Sequence, residues 1–292
     1  MEFIEYKGWK NNVRLTNDKI ELVVTLDVGP RIIRFGYIGS KNVLKEFSDQ
    51  IGQRGEKEWM IRGGHRFWHA PEEKPRTYEP DNQPVECIEI GDQSVLLRPK
   101  AETKNGIQKE LEIALNPDGT VKLLHRLKNI GRWPIEAAPW ALTVMDMGGV
   151  AVLPLPEKRP HNEVLLPDFP LVVWPYTDFS DKRLSLGRRF ITLKQDKFLG
   201  PIKIGMAKQD TIAYLVHDQV FIKKFNYHEG ASYPDFGCNC ELFTNNDMLE
   251  LESLGSLQTI EPGSFIEHAE NWLIKKQKAD YKTESDLYSI FK

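Results

Sequence analysis

The sequence predicts an all-β protein, a large antiparallel β-sandwich with few short helices. Three observations carry this: alternation of period two recurs along the chain, helical periodicity is nearly absent, and turn-forming residues punctuate short apolar runs. The length of 292 residues allows one or two domains. No internal repeat, low-complexity linker or composition shift interrupts it, so residues 1–292 are expected to form one sandwich domain.

Near the start, Ile20, Leu22, Val24 and Leu26 interleave with Glu21, Val23, Thr25 and Asp27, the pattern of a half-buried strand. Leu111 to Leu115 and Val121 to Leu127 flank Asn116-Pro117-Asp118-Gly119-Thr120, whose Pro and Gly supply hairpin dihedrals. Further strands are expected at Val150 to Leu153, Phe190 to Leu193, Ile202 to Met206, Ile212 to Val216 and Val220 to Phe225. Between Leu153 and Phe190 the chain is rich in Pro and aromatic residues, including Trp174 and Tyr176, and long ordered loops are expected there. The one helix signal is terminal, where Thr283-Glu284-Ser285-Asp286 caps Leu287 to Phe291.

Lys and Arg number 39 against 42 Asp and Glu, a formal charge of -3 that gives no field for nucleic acid or anionic membranes. Met1 to Lys7 lacks the basic and apolar regions of a signal peptide, and no apolar run reaches the roughly 20 residues of a membrane span. Three cysteines, Cys87, Cys238 and Cys240, form no disulfide framework, so free thiols and a cytoplasmic location are expected. Cys238-Asn239-Cys240 is too narrowly spaced for a usual zinc pair, and no cofactor or metal is expected.

The densest chemistry lies in Arg62-Gly63-Gly64-His65-Arg66-Phe67-Trp68-His69. A glycine pair lets backbone approach a ligand closely, and in an extended run His65 and His69 share one face while Arg66 and Trp68 share the other. At Cys238 to Asn245, a strand places Glu241 with Asn239 and Phe243, opposite Cys240 and Leu242. Carboxylates, arginines and histidines beside Trp68, Trp140, Trp174, Tyr176 and Tyr233 suit a sugar, which presents hydroxyls around an apolar C–H face. The expected ligand is therefore a small-molecule carbohydrate, bound by a monomer or homodimer. Glu252 and Asp235 are candidate second carboxylates for a lyase or hydrolase reading.

Leu26-Asp27-Val28-Gly29-Pro30-Arg31-Ile32, Arg62 to Pro71, Phe236 to Glu241 and Leu257 to Ile274, in that order, resemble the galactose mutarotase-like superfamily of aldose 1-epimerases and hexose-6-phosphate mutarotases. The resemblance spans nearly the whole chain. It implies a sandwich fold, an isomerase acting by acid–base catalysis, Glu241 as the base on the anomeric hydroxyl, and a histidine that protonates the ring oxygen. The segment most like the family's histidine strand, Ala138 to Val144, contains no histidine, so His65 or His69 is the acid expected here. Arg62 and Arg66 would hold hydroxyls or an acidic group, an arginine of this motif serving equally as a structural clamp to loop carbonyls, and Trp140 or Trp174 would cover the ring. The alternative is a sugar-binding or sensing protein that keeps the pocket without the reaction.

Overall fold

The computed structural model describes residues 1–277 and 283–291. Two antiparallel sheets, of eleven and ten strands among the described residues, pack face to face. Strand Ile135–Met145 is central to the larger sheet, pairing with His65–Ala70 on one side and Leu249–Leu254 on the other. Beyond Leu249–Leu254 the sheet continues through Cys240–Thr244 and Ile202–Met206 to the short Leu171–Val173.

The expected hairpin is formed by Ile107–Leu115 and Val121–Asn129, closed by Gly119 at φ +92° with the Asn116 N–H bonded to the Thr120 carbonyl. Burial along Ile107–Leu115 alternates strictly, so Leu111 and Ile113 face the core while Glu110 and Glu112 stay outside it. The main core joins both sheets through Leu22, Phe35, Leu123, Leu251, Phe221 and Trp272. The other expected strands form within a residue or two of their bounds, including Ile202–Met206, Thr211–Val216 and Gln219–Phe225. The segment after Val150–Pro154 is mostly loop, as expected, with two three-residue strands inside it.

At the C-terminus Glu284–Tyr288 is a short helix, and the Asp286 carboxylate accepts the Thr283 N–H at 2.8 Å. No helix among the described residues is long and apolar enough to cross a membrane.

Candidate functional site

Strand pairing sorts the expected site residues onto two faces of the larger sheet, because directly opposed residues project to the same side. Glu241 opposes Glu252, Glu252 shares a register row with Leu142 and Arg66, and Trp140 opposes Trp68. These form the outer face. His65 opposes Thr143, in a row with Leu251 and Leu242, which lie in the core between the sheets; His69, four residues further along the same strand, opposes Pro139 and projects to the same inner side.

His65 and His69 are therefore not brought together with Glu241, and the expected histidine–carboxylate pair does not form. His65 instead joins a buried network between the sheets. His125 Nδ1 must donate to the His268 carbonyl at 3.0 Å, which leaves its Nε2 to accept from His65 Nε2–H at 2.8 Å and the Thr143 hydroxyl to donate to His65 Nδ1 at 2.9 Å. His268 Nε2 donates to Ser253 Oγ, and Ser253 donates to Glu270 at 2.5 Å. Lys223 Nζ lies 2.8 Å from Glu270 and also bonds the Ala141 and Leu251 carbonyls, tying the two sheets together.

Burial holds His65 and His125 neutral and pushes His268 down to about 3. Burial would raise Glu270, but the Lys223 ammonium outweighs it and holds it ionised. His65, His125 and Glu270 have the right types for a metal site and lie within 4.8 Å of one another. Both nitrogens of each imidazole are already committed to hydrogen bonds, and the Lys223 ammonium occupies the carboxylate, so the set reads as a closed structural network.

Arg62 is fully buried and acts as a clamp: its guanidinium donates to the Gln50 and Gln53 carbonyls at 3.0 and 2.9 Å, to Asn82 at 2.8 Å and to Glu56. The glycine pair beside it serves the fold in the same way. A Cβ at Gly63 or Gly64 would lie 2.1 or 2.2 Å from the Lys45 or Ile32 carbonyl oxygen, so the close approach is to backbone within the chain. Arg66 reaches the outer face but is engaged, with Glu250 at 2.5 Å and the Trp68 ring 4.3 Å beneath its guanidinium. Tyr233 stacks on Tyr227, and its hydroxyl accepts the His228 N–H, bracing a loop.

On the outer face a cavity of about 310 Å³ is lined by Pro71, Glu72, Trp140, Trp174, Lys203 and Asp235. Lys203 extends from Ile202–Met206 between the indole rings, 4.8 Å from Trp140 and 4.7 Å from Trp174. Its Nζ lies 2.6 Å from Glu241 and 2.9 Å from Glu252, and Glu252 also accepts from Trp140 Nε1 at 2.9 Å. Two directly opposed carboxylates destabilise a sheet unless countered; here one ammonium serves both. Gly205, opposite Glu241, makes room: a Cβ there would lie 2.6 Å from Cys238 Sγ and 3.2 Å from Trp174.

The group holds an asymmetric charge. Burial raises Glu241 well above the carboxylate range, with Lys203 opposing and Glu252 and Asp235 adding, while burial raises Glu252 too. Two buried carboxyls against one ammonium share a proton as a pair. Glu252 has two donors, Lys203 and Trp140, so the proton belongs on Glu241. Among the described residues lining this cavity none is a histidine.

Sequence reading had missed Lys203, whose signal was a lysine between Ile202 and Ile204 in a strand buried throughout. Asn239, expected on the strand beside Glu241, lies just before it and bonds the Gln209 backbone at 3.1 and 2.6 Å. A separate cavity of about 410 Å³ is lined by Gly29, Phe67, Trp68, Lys100, Glu102 and Lys109. His69 lies 3.5 Å from Glu102; burial would raise that carboxyl, but Lys109 and His69 hold it near 2. Glu102 is thus a committed anion rather than a proton carrier.

No protein-family model matches the chain, and no curated protein does. Solved structures do. A galactose mutarotase-like protein from Lactobacillus casei is 10% identical with a TM-score of 0.60, over 91% of this chain and 100% of that one. A candidate aldose 1-epimerase from Escherichia coli is 11% identical with a TM-score of 0.57, over 91% and 99%. A galactose mutarotase related enzyme from Lactobacillus acidophilus is 9% identical with a TM-score of 0.53, over 93% and 100%. The chain has the galactose mutarotase-like fold.

Proposed function

We propose that this chain binds a monosaccharide in the Trp140–Trp174 cavity and interconverts its anomers by acid–base catalysis. The observation that carries the reading is the Lys203–Glu241–Glu252 group beneath an aromatic-walled cavity, on a fold shared with galactose mutarotase-like proteins. A cavity of about 310 Å³ is at the small end of ligand pockets, which suits a single sugar ring.

Anomer interconversion needs one proton removed from the anomeric hydroxyl and one delivered to the ring oxygen. Lys203, the group that lines the cavity, passes a proton to the ring oxygen as Glu241 behind it gives up its own; burial would lower the lysine, but Glu241 and Glu252 hold it well above its usual range, so the ammonium is never left neutral. The role assigned to Glu241 thus changes from base to proton reservoir, because burial raises its carboxyl, with Glu252 adding and the Lys203 ammonium only opposing. Fresh anomers of several aldoses and aldose phosphates, followed by polarimetry, test the reading. Wild-type acceleration lost in Glu241→Gln supports it; no acceleration above background, with Glu241→Gln indistinguishable from wild type, refutes it.

One observation favours a second reading, a sugar-binding or sensing protein: no histidine lines the cavity among the described residues. Saturable sugar binding without acceleration would establish that reading instead.

A further inference from the structure

The turn Tyr233–Gly237 is built against the grain of its sequence. Asp235 (φ 49°, ψ 55°) and Phe236 (φ 58°, ψ 29°) are consecutive non-glycine residues in the left-handed region, followed by Gly237 at φ +96°. L-residues enter that region at a cost; the like pair at His217 and Asp218 closes a hairpin between Val216 and Gln219, whereas this one lies at the rim of the cavity. The turn is closed by the Cys238 N–H bonded to the Pro234 carbonyl at 3.0 Å, and Phe236 is left 91% exposed.

What the turn achieves is the placement of one carboxylate on the cavity. Three acids line it, and two are engaged: Glu72 accepts from the Tyr78 hydroxyl, and Glu73 lies 3.8 Å from Arg76. Asp235 makes no hydrogen bond or ion pair with any described residue. Lys203 lines the same cavity, with Glu241 behind it.

We propose that Asp235 is the general base of this site. Its carboxylate takes the proton of the anomeric O1–H as the C1–O5 bond breaks; C1=O1 forms, and O5 receives a proton from Lys203 as Glu241 gives up its own. Re-closure on either face of C1 runs the same transfers backwards. The inference rests on the reading of the cavity as a sugar site. Glu241 is consistent with its part as the proton source: burial raises that carboxyl, and the nearby charge of Asp235 adds to the effect.

The test is anomerisation of a panel of neutral aldoses and aldose phosphates by wild type, Asp235→Asn and Asp235→Gly, with Tm and sugar titration alongside. Asp235→Asn is expected to lose about 100-fold or more in rate. Asp235→Gly is expected to lose as much while Tm rises, since glycine accepts the left-handed backbone; that separates loss of the base from loss of the fold. An active wild type with Asp235→Asn within about threefold of it overturns the base and leaves the sugar site standing. A wild type that neither accelerates nor binds any sugar in the panel overturns both.

Discussion

Acidification should weaken this protein well above the pH at which carboxylates protonate, because the network between its sheets is built from neutral histidines. His268 is buried, and burial pushes it from 6.5 down to about 3. Its folded value lies below its unfolded value, so its contribution is present above about pH 6.5 and is lost as pH falls. At pH 5.5 the unfolded state binds nearly one more proton at this site than the native state, worth about 1.4 kcal/mol relative to pH 7.5. His65 and His125 are shifted the same way by the same burial and steepen the loss. Glu270 adds a further loss below the ordinary carboxylate range, since its folded value is depressed. Urea titrations at pH 7.5, 6.5 and 5.5 read this directly. The stability difference should fall by more than about 1.4 kcal/mol between the first and last, and His268→Gln should flatten the slope. A midpoint that stays constant or rises toward pH 5.5 would refute the reasoning.

Two other perturbations probe the site's construction. Gly205→Ala places a Cβ 2.6 Å from Cys238 Sγ, so overpacking of about 1–3 kcal/mol and displacement of Trp174 are expected, read as a lower Tm and weaker sugar binding; unchanged Tm and affinity would argue against the close approach. Lys203→Met strips the counter-ion from two buried carboxyls and should cost about 3–5 kcal/mol in urea unfolding, with Glu241→Gln and Glu252→Gln restoring part of it. If Lys203→Met alone were neutral, the shared-ammonium account would fail.

The fold was legible in the sequence because its signals are local. Alternation set the strands, Asn116 to Thr120 set the hairpin, and Thr283 with Asp286 set the terminal helix. The face assignment near Cys240 was legible for the same reason, with Cys240 and Leu242 in the core and Glu241 outside it. What was not legible was which face of His65–Ala70 looks inward. Every residue of that strand is buried, His65 against the second sheet and Arg66 beneath the outer-face aromatics, so alternation of polarity carried no direction. Whether Arg62 faces a ligand or clamps the chain was not legible either, because clamps to backbone carbonyls and sugar contacts use the same residue types. Lys203 pairs with Glu241 and Glu252, 38 and 49 positions away in the chain, and only strand order brings the three together.

The most direct test of the central claim is a crystal structure with an aldose bound. The account predicts a sugar ring against Trp140 and Trp174, with one of its oxygens within about 3 Å of Lys203 Nζ and Asp235 facing the anomeric hydroxyl. Sugar lodged instead in the cavity of Lys100 and Glu102, with the Trp140–Trp174 cavity empty, would contradict it.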